Sequence, residues 1–226
     1  MGAVLEAVYG AYAVDWQEAQ GDLSHEAFFL STILADLAPT TAEALGLTAL
    51  IGFIEARRDA RTKNGVLVPV PEQDTELWDS GLIERSAALL TKASGLGEMG
   101  RFQLEAAIQS VHAVRGVTGK TDWRALSQLY AGLVRLHPTI GAAVGRAAVV
   151  AEDAGAREGL KLLNQIDYPE FDRFQPAHAV RAQCFAELGR LDEAAVAYDK
   201  AISLCTDAPS RRWLEQKKTG LRKKMS

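Results

Sequence analysis

The stretch from Phe174 to Leu204, FQPAHAVRAQCFAELGRLDEAAVAYDKAISL, decides the fold class of this chain. Apolar residues recur there at three- and four-residue spacing on both sides of Gly189, a pattern typical of amphipathic helices. Glycine suits a helix end or a tight turn between two helices. The stretch therefore predicts a helix pair, 174–188 and 190–204.

This helix pair carries small and aromatic residues in the order of a tetratricopeptide repeat, whose two helices pack small side chains against large ones. The residues are Ala182, Phe185, Gly189, Ala194, Tyr198 and Ala201. Weaker echoes lie 35 residues earlier and about 33 residues before that. They comprise Ala147, Val150, Leu163 and Ile166, and then Leu126, Tyr130, Leu133 and Pro138. Because one such pair cannot bury its apolar face alone, the pattern predicts a short stacked array.

Helical spacing also covers almost all of the remaining chain. Together with the opening pair, the predicted helices are 2–16, 24–37, 41–60, 76–94, 101–115, 122–137, 139–154, 156–166, 174–188, 190–204 and 209–223. Residues 62–75 are predicted to be extended, and Pro69 and Pro71 argue against a central strand there. The prediction is an all-α fold: a helical bundle over residues 1–100 with a connector at Arg57–Asp79, followed by tetratricopeptide-like helix pairs over 101–226.

Helix start and stop signals accompany this pattern. Thr40 and Glu43 have the spacing of a capping box, and Asp122 directly precedes a predicted helix. Gly155 and Gly189 stand where helices should end. These signals predict both ends of several helices.

The connector from Ala56 to Asp79 reads ARRDARTKNGVLVPVPEQDTELWD and is unlike the short polar loops that usually join helices. Three arginines and three carboxylates flank its extended segment: Arg57, Arg58, Arg61, Glu72, Asp74 and Asp79. We expect them to pair and hold the connector on the preceding helix, because a planar guanidinium can meet a carboxylate through two hydrogen bonds. The alternative is that the arginines face outward and bind a partner.

Two connector residues carry further expectations. Trp78 is predicted to anchor the connector against the helical body, and an exposed ring would make it a contact residue instead. Asp74 is predicted to cap the helix that contains Trp78. Acid–base catalysis by Glu72, Asp74 and Asp79 is the weaker interpretation, because clustered charges are often structural.

The connector resembles a segment in bacterial extracytoplasmic-function RNA polymerase sigma factors that carry a long C-terminal helical-repeat extension. That family has an arginine-pair helix end, then G-x-L-V-P-L-x-E-Q-D and a W-D pair. The matching residues here are Gly65, Leu67, Val68, Pro69, Glu72, Gln73, Asp74, Trp78 and Asp79.

The resemblance continues downstream over nearly the whole chain. It includes Phe102–Ile108 with His112, Thr121-Asp122-Trp123, and Arg146-Ala147. Two family asparagines are absent: Gly145 replaces the one before Arg146, and Tyr9-Gly10 replaces an Asn-Glu pair before Ala11-Tyr12. Any role of those asparagines does not carry over to this chain.

The resemblance implies a non-catalytic regulatory or protein-interaction module of a sigma factor that acts in transcription initiation. The regions that bind the −10 and −35 promoter elements are absent from these residues. The implied partners are the sigma factor's own DNA-binding regions, RNA polymerase, or both. A stand-alone helical-repeat adaptor unrelated to transcription is the alternative, and an unrecognised enzyme is a third interpretation.

Composition and charge limit the other possibilities. The net charge is −4, yet residues 208–226 hold seven Lys/Arg against one Glu, which leaves −10 on residues 1–207. Because an acidic surface repels DNA phosphates, we expect no specific DNA binding by this chain alone. The basic tail is interpreted as a solvated helix face, and the alternative is contact with nucleic acid or an acidic partner. The sequence has no apolar run long enough to predict a membrane span. Cys184 and Cys205 have no metal or redox spacing, and this indicates the reducing cytoplasm.

Two glycine-rich segments imitate nucleotide sites. Residues 95–100 fit G-x-G-x-x-G, and residues 116–121 end like a P-loop, but neither follows a predicted strand. The four histidines lack metal-ligand spacing, and His112 is read as a hydrogen-bonded core histidine on an apolar helix. We therefore predict no cofactor, no metal and no catalytic residue.

Overall fold

The computed structural model describes residues 1–18 and 22–225, with side chains for 1–14 and 23–221. The predicted all-α fold is confirmed. The chain forms two compact units, which are described separately. Unit 1 comprises Met1–Arg61 and Val70–Thr121, and unit 2 comprises Thr62–Pro69 and Asp122–Ser226.

Unit 1 is a bundle built around one buried helix. Its helices are α1 Gly2–Glu18, α2 Asp22–Leu37, α3 Ala42–Glu55, α4 Ser80–Gly95, α5 Arg101–Ala113 and the single turn α6 Arg115–Thr118. Helix α3 is buried from Ala42 to Phe53 and packs against α1, α2, α4 and α5. No charged residue lies between Glu43 and Glu55, so this helix can be covered on every side at no cost in charge burial.

Two glycines allow the neighbouring helices to approach α3 closely. A Cβ atom on Gly46 would lie 2.8 Å from the backbone nitrogen of Gln103 on α5. A Cβ atom on Gly52 would lie 2.3 Å from the hydroxyl of Ser86 on α4. Both distances are shorter than van der Waals contact. A larger residue at Gly46 would push the backbone of α5 away, and one at Gly52 would displace the Ser86 side chain.

Unit 2 contains consecutive helices that pack in pairs. They are α7 Trp123–Leu136, α8 Ile140–Ala154, α9 Ala156–Leu163, α10 Gln175–Glu187, α11 Leu191–Leu204 and α12 Ala208–Met225. Ala182, Ala194 and Ala201 are fully buried against Tyr198, as the repeat pattern predicts. Gly155 and Gly189 end α8 and α10 with φ angles of 99° and 74°, which confirms both helix stops. Of the basic tail, Arg222, Lys223 and Lys224 lie outside the residues with described side chains.

The first part of the segment predicted to be extended forms a short β-hairpin, whereas Val70–Glu72 within the same segment is a 3-10 turn and the prediction is wrong there. Strand β1, Thr62–Lys63, pairs with β2, Val66–Leu67, in antiparallel register. Asn64 and Gly65 between them have φ angles of 53° and 73°, the positive values that a two-residue type I′ turn requires. Within unit 2 the hairpin lies on α12, where Arg212 Nη1 donates to the Gly65 carbonyl at 3.1 Å.

The structure draws the unit boundary after Thr121, whereas the sequence pattern placed it after residue 100. The difference concerns α5, which packs along α3 and so belongs to unit 1. The cause is tertiary, because α5 has the same helical periodicity as the repeats that follow it.

The predicted capping box at the start of α3 is wrong. Thr41 is the N-cap residue and its side chain caps nothing. Glu43 instead accepts from the backbone nitrogens of Phe102, at 3.0 Å, and Gln103, at 3.1 Å. A carboxylate on α3 thus caps the N-terminus of α5, whose own N-cap residue, Gly100, has no side chain to do so.

Among the described helices, none is both long and apolar enough to cross a bilayer.

Candidate functional site

The connector from Ala56 to Asp79 is closed at its base by the backbone. Helix α3 ends at Glu55, and the Ala56 carbonyl accepts a hydrogen bond from the Asp79 amide at 2.8 Å. After the hairpin the chain makes two 3-10 turns, Val70–Glu72 and Thr75–Leu77, before α4 begins. The two ends of a 24-residue segment are therefore fixed together at the surface of unit 1.

Trp78 is the centre of this site. Its side chain is 7% exposed, as expected of a residue that anchors the connector. The indole Nε1 donates to Gln73 Oε1 at 3.2 Å, so the polar atom of the ring is satisfied within the connector. The guanidinium carbons of Arg57 and Arg115 lie 5.8 and 4.9 Å from the centre of the ring. Trp78 thus makes two cation–π contacts.

Arg115, at the start of α6, fastens the connector. Its Nη2 donates to the carbonyls of Val70, at 2.9 Å, and Gln73, at 2.6 Å. The next residue, Gly116, lies directly on the indole, since a Cβ atom there would be 3.6 Å from Trp78. Both hydrogen bonds come from a charged donor and reach backbone acceptors, so they fix the path of the connector whatever its side chains are.

Sequence reasoning missed Arg115 because its partners lie more than 40 residues earlier. The available signal was weak. An arginine followed by glycine stands where the apolar periodicity of α5 ends, and many surface arginines share that context.

Arg57 is 4% exposed, and its Nη2 donates to Gln109 on α5. Burial lowers the pKa of Arg57 to about 10, with a smaller lowering by the charge of Arg115. His112 is half-buried nearby, and burial lowers its pKa to about 4, with both arginines adding to the effect. The site therefore holds two guanidinium cations and a neutral imidazole at neutral pH.

The predicted clamp between arginines and connector carboxylates is not what Asp74 and Asp79 form. Asp74 accepts from the Glu76 amide at 3.0 Å and caps the 3-10 turn before Trp78. Asp79 accepts from the Leu82 amide at 2.8 Å and caps α4. Among the described side chains, neither carboxylate forms an ion pair with Arg57, Arg58 or Arg61. Both have stronger local acceptor roles at helix starts.

Arg58 makes its contacts on the helical side of the connector. Its Nε donates to Glu55 Oε2 at 2.7 Å, and its Nη2 donates to Ser24 on α2 at 2.8 Å. Arg61 is half-buried at the end of the turn that follows α3, and Glu72 is exposed. Arg57 and Arg58 thus hold α3 to α5 and α2, while Arg115 holds the connector.

The other predicted residues belong to unit 2. Asp122 caps α7 by accepting from the Ala125 amide at 2.9 Å, as predicted. Trp123 and Arg146 are half-buried on α7 and α8. Gly145, which stands where the resembled family has asparagine, is covered by Tyr130, because a Cβ atom there would lie 2.5 Å from Tyr130 Cε1. An asparagine would need a different position of that ring.

The two nucleotide-like glycine segments lie in helical surroundings. Residues 95–100 join α4 to α5, and residues 116–121 form most of α6 and the turn after it. Burial raises the pKa of the Cys184 thiol to about 11, which disfavours the reactive thiolate. Within residues 1–18 and 22–225, no group of His, Cys, Asp and Glu side chains could hold a metal ion.

Unit 2 carries a groove between α10 and α11, bordered by Asn164 just after α9, with a volume of about 700 Å³. Its lining is mainly apolar and includes Phe185, Val196 and Ala197, with Arg181 and Lys200 among the polar residues. His178 also lines the groove. Burial lowers the pKa of His178, and the charges of Arg181 and Lys200 lower it further. The groove is large enough for a few residues of an extended peptide.

The fold and the site define an all-α protein with a fixed surface connector and helix pairs. Residues 1–94, from α1 to near the end of α4, match a family described as a family of unknown function, DUF6596. Over 194 residues the chain is 33% identical to the uncharacterized protein R00370 of Rhizobium meliloti (strain 1021). That match covers 85% of this chain and 46% of the relative, so the chain spans less than half of the relative's length. No solved structure matches.

Proposed function

We propose that this chain is a non-catalytic regulatory or protein-interaction module of an extracytoplasmic-function sigma factor. In this proposal it acts in transcription initiation in the cytoplasm, and promoter contact is made by regions outside these residues. Its partners are those DNA-binding regions, RNA polymerase, or both.

The observation that carries the proposal is how the connector residues of the resemblance are used. Gln73 and Trp78 are buried and bonded to each other, and Asp74 and Asp79 cap the turns on either side of Trp78. Gln73, Asp74 and Asp79, three of the polar residues that the resemblance shares, thus help to hold a surface segment in place. Such a use supports a binding role, because both carboxylates accept hydrogen bonds from backbone amides as caps.

The charge distribution supports the same proposal. Unit 1 holds sixteen Asp/Glu against eight Lys/Arg and is therefore strongly acidic. Acidic surfaces repel DNA but attract the basic surfaces of DNA-binding proteins. Regulation by binding a basic protein region suits this chain better than direct promoter binding.

The test begins with the reading frame around the native gene. The proposal expects helix-turn-helix regions encoded in the same frame or in a neighbouring one. Those regions and bacterial core RNA polymerase are then purified, and their binding to the immobilised chain is measured by interferometry. We expect saturable binding to at least one of them, and no sequence-selective shift of promoter DNA by the chain alone at physiological salt. Absence of encoded promoter-binding regions together with no binding to polymerase would contradict the proposal.

The stand-alone helical-repeat adaptor is the second candidate, and the groove of unit 2 favours it. An apolar groove between stacked helices is a common site for peptides. The two candidates differ in where a charge should interfere. Val196→Glu, on the exposed lip of the groove, should abolish partner binding by an adaptor. It should leave binding to sigma-factor regions intact if unit 1 provides the contact.

A further inference from the structure

Helix α2 of unit 1 carries large apolar residues on its outer face, where an ordinary surface helix carries polar ones. Its most buried positions hold small residues, Ser24, Ala27, Ser31 and Ala35, all at most 4% exposed, and the half-buried Phe28 and Leu34 pack on the core beside them. Its outer face carries large apolar residues: Leu23, Phe29, Leu30 and Leu37 are 43%, 66%, 49% and 78% exposed. A helix that packs only against its own bundle would normally turn the large residues inward.

Two hydrogen bonds, together with the packing of Phe28 and Leu34 on the core, fix the orientation of α2. Thr48 Oγ1 on α3 donates to the Ser31 carbonyl at 2.8 Å. Arg58 Nη2 donates to the Ser24 hydroxyl at 2.8 Å. The small inner residues let α2 lie close to α3, so the leucines on the far side cannot rotate into the core without breaking these contacts. The outward position of the apolar residues is therefore built into the bundle.

The outer residues have the spacing of a helix-pairing seam. Leu23, Leu30 and Leu37 stand at every seventh position, and the half-buried Ile33 lies on the same side. Phe29, the residue before Leu30, is also exposed and makes the apolar stripe wider. Apolar residues repeated every seven positions are the pattern by which one helix packs along another. The partner that fits this stripe is therefore a helix with an apolar face of its own.

The charges around the stripe determine which charge the partner helix should carry. Glu26 stands within the stripe and Asp36 at its edge, and both are exposed. Residues 1–56 contain eight Asp/Glu and no lysine or arginine, so nothing on α1 or α2 neutralises these carboxylates. A second copy of α2 would bring like charges together at the seam, which is unfavourable. A helix flanked by lysine or arginine would pair with them.

We propose that the stripe formed by Leu23, Phe29, Leu30, Ile33 and Leu37 on α2 is a docking surface for a basic amphipathic helix of another protein region. The apolar face of that helix covers the stripe, and its lysines or arginines meet Glu26 and Asp36. The proposal does not depend on the sigma-factor assignment, since any basic amphipathic helix has the required chemistry.

The test uses the full chain and a fluorescent synthetic helix about three heptads long, with leucine at the seam positions and lysine on both flanks. A second peptide carries glutamate in place of each lysine. We expect the lysine peptide to bind saturably with one copy per chain, more weakly as salt is raised, and the glutamate peptide not to bind. Equal binding of both peptides, or binding of neither, would overturn the proposal.

Substitutions locate the binding on α2. Leu30→Gln should weaken binding of the lysine peptide by about tenfold or more, because it removes buried apolar area at the centre of the seam. Glu26→Lys should weaken it further and reduce the salt dependence. The matched control is Leu136→Gln at the end of α7, a leucine that is 43% exposed in unit 2 and should leave the affinity unchanged. A Leu30→Gln variant that binds as tightly as the control would refute the assignment.

Two further measurements keep the test decisive. Melting followed by circular dichroism should be unaltered in Leu30→Gln, because the side chain is half-exposed. If that variant unfolds, Phe29→Ser at the more exposed position takes its place.

Sedimentation velocity tests the second-copy alternative: a dimer of the chain that Leu30→Gln abolishes would assign the stripe to self-association and overturn the proposal. Peptide binding without binding to polymerase or promoter-binding regions would leave this surface in place and remove the sigma-factor role.

Discussion

Replacing Arg115 by methionine is the sharpest test of how the connector is held. Methionine keeps much of the side-chain volume but removes the hydrogen bonds from Nη2 to the carbonyls of Val70 and Gln73. Hydrogen bonds from a charged donor contribute about 1.5–3 kcal/mol. The cation–π contact with Trp78 adds about 0.5–1 kcal/mol. Because Arg115 is half-exposed and one nitrogen makes both bonds, we expect a loss of about 2–3 kcal/mol in total.

Urea unfolding followed by circular dichroism measures this loss, and hydrogen–deuterium exchange locates it. Peptides covering residues 70–79 should exchange faster in Arg115→Met than in the parent chain, while peptides from unit 2 should not change. The matched control is Arg124→Met, because Arg124 is an exposed arginine on α7. Its substitution should change stability by at most about 0.5 kcal/mol. Equal midpoints and equal exchange in the two variants would refute the role of Arg115.

Further outcomes follow from the same unit. Trp78→Ala should destabilise unit 1 by about 3–5 kcal/mol in urea unfolding, and an unchanged midpoint would contradict the burial of the ring. Because the folded pKa of His112 is about 4 and the ordinary value is 6.5, the unfolded chain binds the extra proton. Stability should therefore fall by about 2–3 kcal/mol between pH 6.5 and 4, and His112→Gln should remove that part of the pH dependence. Double-mutant cycles should find coupling of about 0.5–1 kcal/mol between Arg58 and Glu55 and none between Arg58 and Asp74, and the reverse result would restore the internal clamp.

The helices of this protein were predictable because their signals are local. The capping position of Asp122, the stops at Gly155 and Gly189, and the apolar periodicity each depend on residues a few positions apart. The observed bounds accordingly differ from the predicted ones by a few residues in most elements. The hairpin could also have been predicted, since Asn64-Gly65 is a strong signal for a two-residue turn.

The candidate site was predictable only in part. The resemblance pointed to Gln73, Trp78 and Asp79. In the structure Gln73 and Trp78 bond to each other within the connector, and Asp79 caps the helix that follows it. It did not indicate that Asp74 and Asp79 bond to nearby amides, because a capping contact and an ion pair require the same residue type. Distinguishing them needs the positions of the arginines.

What the tertiary structure alone decided is which distant groups meet. Arg115 reaches carbonyls more than 40 residues earlier, and Glu43 caps a helix that begins about 60 residues later. The outward stripe of α2 belongs to the same class, because the sequence shows two faces but not which of them α3 covers. Hydrogen bonds from Thr48 and Arg58 and the packing of Phe28 and Leu34 on the core make that choice. Local sequence determines a helix because its bonds close within four residues, whereas a helix face or a cross-chain cap depends on the packing of the whole unit.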